Sequence, residues 1–143
     1  MTAYVDTSAL AKWYLNEVRS EKFATWMQAE TETHISTLTV VEMRCLLARR
    51  RRNHEISIEM EQTVFATFQD DIAQGFLIQH SVDDESVRGV LALLTVLPDH
   101  PLRTLDALHL SIARRLGTER LVTADRIMIG AAQIIGFKVV PFD

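Results

Sequence analysis

The segment Ala3–Leu10, which reads AYVDTSAL, places an acidic residue between a strand and a helix. Ala3–Asp6 predicts a short strand, since Tyr and Val are frequent in strands. Ser8–Leu15 predicts a helix with Thr7 or Ser8 near its N-cap. A strand that passes directly into a helix is typical of α/β proteins. The segment therefore predicts that fold class, with Asp6 at the carboxyl end of the first strand.

The rest of the chain continues this alternation. Further strands are predicted at His34–Ser36, Phe76–Gln79, Leu121–Thr123 and Lys138–Val140. Further helices are predicted at Ser20–Glu30, Thr39–Arg51, Ser57–Gln74, Asp84–Val96, Thr104–Leu116 and Arg126–Ile135. Strands separated by helices favour a parallel sheet that is covered on both faces. We therefore expect a single three-layer α/β/α domain over residues 1–143, with about five strands and about seven helices.

The composition is consistent with one domain that buries a core. The chain has 143 residues, of which 48% are hydrophobic and 24% charged. It shows no apolar run long enough to span a membrane and no signal peptide, so we expect a soluble, cytosolic protein. The net charge of −4 does not by itself favour nucleic-acid binding. That argument weakens if several acidic residues bind cations, because the cations would cancel much of their charge.

Three further acidic residues stand near the points where a predicted strand gives way to a helix. They are Glu42, Asp106 and Asp125. Because the carboxyl ends of parallel strands share one edge of a sheet, we expect these carboxylates to meet Asp6 there. Four carboxylates in one place repel each other unless a cation lies among them, and Mg²⁺ takes oxygen ligands of this kind. The pattern predicts a metal-dependent enzyme that acts on phosphate esters.

Each acidic residue also has a purely structural explanation. Asp6 could form a turn that caps the first helix, and Asp125 could be the N-cap of the last. Glu42 could complete a capping box with Thr39, and Asp106 could simply favour the positive end of its helix. These explanations do not exclude metal binding, since a carboxylate in the first turn of a helix at this edge is well placed for it. The joint placement of all four favours the metal site.

Four segments of the chain resemble the motifs of the PIN-domain ribonucleases, in the order of that family. They are Tyr4–Leu10, Ser36-x-x-Thr39-x-x-Glu42, Leu102–Ala113 and Leu121–Asp125. The resemblance runs from residue 4 to about residue 140. The chain length and the Asp-Ala-Leu-His form of the third motif are most similar to the VapC toxins of bacterial and archaeal toxin–antitoxin pairs.

The resemblance implies an endoribonuclease that depends on Mg²⁺ or Mn²⁺ and cleaves single-stranded or looped RNA. The residues that match the acidic quartet of the family are Asp6, Glu42, Asp106 and Asp125, and those that match its supporting polar positions are Thr7, Ser8 and Thr123. We expect Asp6 and Asp106 to bind metal directly, whereas Glu42 and Asp125 could bind directly, bind through water, or orient the attacking water. The resemblance also implies an antitoxin partner and a homodimer.

Other reactive residues have simpler interpretations. We expect Cys45 to be a small buried core residue. His109 follows Asp106 by three residues, and we expect it to form hydrogen bonds beside the site or within the core. The remaining histidines show no mutual spacing, so we expect surface or loop positions for His34, His54, His80 and His100.

The basic and aromatic residues leave alternatives open. The run Arg49–Arg52, with Arg44 one turn earlier, predicts either a grip on RNA phosphates or a solvated helix end. Further arginines near the third and fourth motifs could contact RNA if they lie close to the acidic edge: Arg103, Arg114, Arg115 and Arg126. The apolar residues of the first helices predict a core or a subunit contact, and Trp13 or Met27 could line a groove for an inhibitor helix.

Four other functions compete with a toxin. A solitary PIN-domain nuclease of RNA processing would carry the same site. A receiver module of the flavodoxin type would need an acidic residue at the end of the third strand, where this chain has Gln79 and His80. A phosphatase of the haloacid dehalogenase type would need Asp-x-Asp after the first strand, where this chain has Asp6-Thr7-Ser8. A non-catalytic protein-binding module is disfavoured by the intact acidic residues.

Overall fold

Five parallel strands form one sheet, in a computed structural model that describes residues 2–143. The sheet order is β3-β2-β1-β4-β5, and every neighbouring pair is parallel. The strands are β1 Ala3–Val5, β2 Thr33–Ser36, β3 Ile78–His80, β4 Arg120–Thr123 and β5 Lys138–Pro141. The helices of the described residues are α1 Thr7–Tyr14, α2 Ser20–Ala29, α3 Thr37–Arg52, α4 Ile58–Ala73, α5 Asp84–Val96, α6 Thr104–Leu116 and α7 Arg126–Ile134. The predicted three-layer α/β/α fold is confirmed.

The central strand β1 is also the place where the order of the strands reverses. The chain passes from β1 outward to β2 and β3 on one side, then returns to place β4 on the other side. In register, Tyr4 of β1 pairs with His34 of β2 and with Leu121 of β4. Ligands of open α/β sheets bind in the crevice at such a reversal, beyond the carboxyl ends of the strands. The topology therefore points to the residues that follow β1 and β4.

Side chains of β1 alternate between two hydrophobic cores, one on each face of the sheet. Ala3 and Val5 belong to the first core, which contains residues of α1 to α4 such as Phe23 and Phe68. Tyr4 belongs to the second core, which contains residues of α5, α6 and α7. Met27 lies in the first core with 1% of its surface exposed. The prediction that Met27 could line a groove for a partner is therefore wrong.

Two histidines lie in the sheet and contact each other. His34 is buried on β2, and its Nδ1 lies 2.7 Å from Nε2 of His80 on β3, with the rings stacked. The prediction of a surface or loop position is wrong for His34, whereas His80 lies in a strand and is partly exposed. The two residues are 46 positions apart, and only the parallel pairing of their strands brings them together. Burial and the neighbouring His34 lower the pKa of His80, which favours its neutral form.

Cys45 is exposed, so its predicted burial is wrong. The helix α3 turns Met43 and Leu47 toward the core, and both are fully buried. A residue midway between two positions on one face of a helix points to the opposite side. The apolar neighbours of Cys45 in the sequence therefore do not imply that it is buried.

The helix α5 exposes several apolar side chains. Leu91 is 69% exposed, and Val87 and Leu94 are exposed as well. The helix instead packs through Leu93 and through a close approach at Gly89, where a Cβ atom would lie 2.6 Å from Oγ of Ser111. Within residues 2–143, no helix combines the length and the apolar character that a membrane crossing requires.

Candidate active site

The four acidic residues lie at the carboxyl edge of the sheet, on four different helices. Asp6 is the N-cap of α1 directly after β1, and Asp125 is the N-cap of α7 after β4. Asp106 lies in the first turn of α6, and Glu42 lies further along α3, which begins after β2. Three of them, Glu42, Asp106 and Asp125, line one cavity of about 760 Å³, which we call the acidic cleft. Asp6 is 3% exposed and is not among the residues that line it.

The carboxylate of Asp6 is held by three hydrogen bonds. Its Oδ1 accepts from Oγ of Ser8 at 2.7 Å and from the backbone N–H of Ala9 at 3.1 Å. Its Oδ2 accepts from Oγ1 of Thr123 at 2.8 Å. Burial raises the pKa of Asp6 even though these donors lower it. The residues predicted to support the site, Ser8 and Thr123, thus fix the orientation of this carboxylate.

Glu42 is free of the capping role that its sequence position suggested. The helix α3 begins at Thr37, two residues earlier than predicted, so the N-cap is Ser36 and the N3 residue is Thr39. The backbone N–H of Ser36 donates to Oγ1 of Thr39 at 3.2 Å. The predicted capping box between Thr39 and Glu42 is therefore wrong, because the true box lies three residues earlier.

One oxygen of Glu42 takes two hydrogen bonds from protein groups. Its Oε1 accepts from Oγ1 of Thr7 at 2.8 Å and contacts Nε2 of His109. Burial raises the pKa of Glu42, but the interaction with His109 and the hydrogen bond from Thr7 lower it, so the pKa is lowered overall. The prediction that His109 forms hydrogen bonds beside the site is confirmed.

Burial and the neighbouring acidic residues both raise the pKa of Asp106. Burial, followed by the charges of Asp125, Asp6 and Glu42, raises the pKa of Asp106 to about 6. Asp125 uses Oδ1 to cap its helix, accepting from the backbone N–H of Met128 at 2.9 Å. The structural role expected for Asp125 as an N-cap therefore coexists with its place in the acidic cleft.

A family model for the PIN domain matches residues 3–133. The chain belongs to the PIN domain family. The resemblance that the four motifs indicate is thereby confirmed.

Known proteins similar to this PIN domain include one curated relative and two solved structures. The ribonuclease VapC35 of Mycobacterium tuberculosis is 26% identical over 142 residues, which span 96% of this chain and 94% of the relative. The structure of Mycobacterium tuberculosis VapC20, a toxin that cleaves the sarcin–ricin loop, has a TM-score of 0.72 at 16% identity and matches 90% of this chain and 94% of that one. VapBC2 of Rickettsia felis, bound to a promoter DNA fragment, has a TM-score of 0.72 at 14% identity, with full coverage of both chains.

The donor chemistry of the acidic cleft fits a hard divalent cation. No three His, Cys, Asp or Glu side chains of residues 2–143 are grouped so as to hold an ion by themselves. Mg²⁺ does not need such a cage, because it keeps several waters and binds through one or two carboxylates. Oε2 of Glu42, Oδ2 of Asp125 and both carboxylate oxygens of Asp106 are the oxygens that the hydrogen bonds described above leave for an ion. The raised pKa of Asp106 is the further observation that favours a cation here.

Asp106→Asn should stabilise the metal-free PIN domain at pH 8. The pKa of Asp106 rises from 3.8 to about 6 on folding, so the ionised carboxylate opposes folding above about pH 6, and this penalty disappears as the pH falls toward 4. A rise of this size would lower the free energy of unfolding by about 3 kcal/mol for a fully buried group. The side chain of Asp106 is partly exposed, so solvent screening lowers the expected effect to about 1 kcal/mol. Thermal unfolding in a chelator should therefore show a Tm higher by about 3 °C.

The matched control is Asp99→Asn, which changes an exposed residue in the loop before α6. It should leave the Tm unchanged. The gain of Asp106→Asn should shrink between pH 8 and pH 5, because the wild-type carboxyl becomes protonated there. A Tm at or below that of the wild type at pH 8 would contradict the raised pKa of Asp106.

One residue near the acidic cleft is not apparent from the sequence as a site residue. Tyr4 looks like an ordinary strand residue, yet its hydroxyl contacts Nδ1 of His109. The signal available in the sequence is that a tyrosine in a central strand must find a partner for its buried hydroxyl. Arg103 is the N-cap of α6 and lines the acidic cleft together with Arg49 of α3. Both are among the arginines for which the sequence leaves RNA contact open.

Proposed function

We propose that this PIN domain is a metal-dependent endoribonuclease and acts as the VapC-type toxin of a toxin–antitoxin pair. The observation that carries the proposal is the convergence of Glu42, Asp106 and Asp125 on one open cleft, with Asp6 behind them. The curated relative is named a ribonuclease, and one structural neighbour is described as a toxin that cleaves the sarcin–ricin loop. We further propose that all four carboxylates serve Mg²⁺ or Mn²⁺, and that Thr7, Ser8 and Thr123 hold them in place.

The residues of the chain would divide the work between holding cations and holding RNA. Asp106 and Asp125 offer free oxygens in the acidic cleft, Glu42 offers Oε2, and Asp6 supplies negative charge behind them. When bound, the cations neutralise charge on the phosphate and activate the water that attacks it. The protein residues fix the place of attack. The volume of the cleft, about 760 Å³, is large enough to admit a nucleotide.

A cleavage assay with a chelator tests the proposal. The purified chain should cut a labelled single-stranded RNA in Mg²⁺ or Mn²⁺, lose this activity in EDTA, and regain it when metal is returned. A receiver module, a phosphatase or a binding module would leave the RNA intact. Cleavage that persists in EDTA would contradict the mechanism and point to a contaminating nuclease.

The arginines at the end of α3 have different surroundings. Nη2 of Arg50 lies 2.8 Å from Oε2 of Glu17, and Nε of Arg51 lies 2.8 Å from Oε2 of Glu61. Arg49, by contrast, lines the acidic cleft, as does Arg103 on α6. Neither forms an ion pair within residues 2–143. We therefore propose that Arg49 and Arg103 contact RNA phosphates, whereas the ion pairs of Arg50 and Arg51 stabilise the fold.

Replacing Arg49 and Arg103 with Gln should weaken RNA binding and flatten its salt dependence. Each lost phosphate contact should reduce the slope of log K against log salt by about 0.7 for single-stranded RNA. Binding is measured by fluorescence anisotropy at several salt concentrations, in an Asp6→Asn background that does not cut the probe. The matched control is Arg52→Gln, which removes an exposed charge from the same run. An equal change of slope in the control would show that the run acts only through its total charge.

We also propose an antitoxin as the protein partner. Exposed apolar side chains surround the carboxylates of the acidic cleft, among them Val41 at 56% and Leu105 at 45% exposure. A partner helix with an apolar face and an Arg or Lys that reaches the carboxylates would suit this mixture. The homodimer implied by the family resemblance stays a prediction, which sedimentation of the purified chain would test.

A further inference from the structure

A chain of buried hydrogen bonds connects the centre of the sheet to Glu42. The hydroxyl of Tyr4, on β1, lies 2.7 Å from Nδ1 of His109 on α6. The other ring nitrogen of His109, Nε2, contacts Oε1 of Glu42 on α3. Tyr4 is fully buried and His109 is 1% exposed, so water does not compete for these groups. These hydrogen bonds link β1 to α6 and α6 to α3, and they end at the carboxylate of Glu42 in the acidic cleft.

The neighbours of Tyr4 favour one direction for these hydrogen bonds. Its hydroxyl oxygen lies 2.9 Å from Oγ of Ser36, and either hydroxyl group of this pair can be the donor. Ser36 can donate to the tyrosine oxygen, which has two lone pairs. The hydrogen of Tyr4 is then directed to Nδ1 of His109, which can only accept it if that nitrogen carries no hydrogen. Nε2 of His109 consequently bears the hydrogen and donates it to Glu42.

We propose that His109 is a positioning residue that makes Glu42 act through one oxygen only. Oε1 of Glu42 is saturated by His109 and by Thr7, which donates at 2.8 Å. The second oxygen, Oε2, is left to bind the cation or the attacking water in the acidic cleft. Tyr4 is required because it keeps the hydrogen of His109 on Nε2. This inference rests on the proposed nuclease function, whose site it refines.

The arrangement has the features of a support for a metal ligand. Carboxylates and imidazoles at metal sites are themselves held by outer hydrogen bonds, and loss of such a partner typically costs about 10- to 100-fold in metal affinity or activity. Burial alone would require a partner for each ring nitrogen of His109, but it would not require the partner of Nε2 to be Glu42, a carboxylate that lines the acidic cleft. The tilted contact between the Tyr4 and His109 rings, with centroids 5.7 Å apart, holds the imidazole plane as well.

Nitrogen NMR tests the assignment without any RNA. Long-range ¹H–¹⁵N spectra of the chain labelled at histidine distinguish the two neutral tautomers and the doubly protonated ring, and the His109→Gln spectrum identifies the signals of His109. We expect hydrogen on Nε2, where the ring faces Glu42. Tyr4→Phe should add a population with hydrogen on Nδ1, because the fixed donor is gone. A wild-type ring whose Nε2 carries no hydrogen would overturn the proposal.

Two substitutions at His109 separate positioning from packing. The side-chain nitrogen of Gln reaches about as far as Nε2 of His, so His109→Gln can still donate to Glu42, whereas the shorter Asn can contact only Tyr4. We expect His109→Asn to lower kcat for RNA cleavage by about 10- to 100-fold with little change in KM, and His109→Gln to restore most of it. The control is Ile112→Ala, which opens a buried site on the same helix away from Glu42.

Metal binding distinguishes failure of the positioning role of His109 from failure of the nuclease proposal. Mn²⁺ binding, followed by electron paramagnetic resonance, should weaken in His109→Asn but not in Ile112→Ala, whether or not RNA is cut. Equal kcat in the Asn and Gln variants, or an equal loss in Ile112→Ala, would reduce His109 to a structural residue. A wild-type chain that shows the expected tautomer and binds Mn²⁺ but cuts no RNA would refute the nuclease and leave the positioning of Glu42 intact.

Discussion

Asp6→Asn is expected to lower RNA cleavage by at least about 100-fold, because it removes charge that stabilises bound cations, a contribution of several kcal/mol to the transition state. The fold should survive. Asn retains an oxygen for the donors Ser8 and Ala9, and its amide nitrogen can donate to the hydroxyl of Thr123, which can rotate. Initial rates on a labelled RNA, with circular dichroism of the same sample, test both parts.

The comparison needs matched variants. Asp106→Asn should lose activity to a similar extent although it stabilises the metal-free fold, so the two properties move in opposite directions. Asp99→Asn, at an exposed loop position, should cut RNA like the wild type. Wild-type rates in Asp6→Asn would show that the acidic cleft is not the site of cleavage.

The fold could be predicted because its signals are local. Apolar strands that pass into capped helices predicted the five-stranded sheet, and Gly117 ends α6 at the residue expected. Because the ends of parallel strands meet at one edge, the grouping of the acidic residues also followed from the sequence. Their individual roles stay predictions, since position alone does not show which oxygen binds an ion.

What could not be predicted depends on contacts between distant parts of the chain. Arg50 and Arg51 look equivalent to Arg49 in the sequence, and only Glu17 and Glu61, brought close by folding, distinguish them. The contact of His34 with His80 needs the pairing of β2 with β3. The exposure of Leu91 follows from the way α5 approaches α6 at Gly89. Local periodicity indicates which faces are apolar but does not show which of them are covered.

Expression of the intact chain should arrest growth, and two changes should relieve it. An active endoribonuclease that cuts essential RNA harms its own cell, so a toxin of this kind requires an inhibitor. Asp6→Asn should remove the arrest by removing catalysis. Co-expression of the small protein encoded by the neighbouring reading frame should remove it by covering the acidic cleft. Growth after induction, with protein levels matched by immunoblot, measures both effects.

Inhibition by a partner, unlike the loss of catalysis in Asp6→Asn, can be measured as a change in metal binding. A partner that inserts a basic side chain among Glu42, Asp106 and Asp125 would replace the cations electrostatically, so the purified complex should bind Mn²⁺ more weakly than the free chain. Substitution of the exposed apolar residue Val41 by Glu should loosen the complex while leaving the carboxylates in place. Growth arrest would then return despite co-expression.

A chain that cuts RNA in vitro but is harmless to its native host would instead be a solitary nuclease, because its activity would need no antitoxin to restrain it.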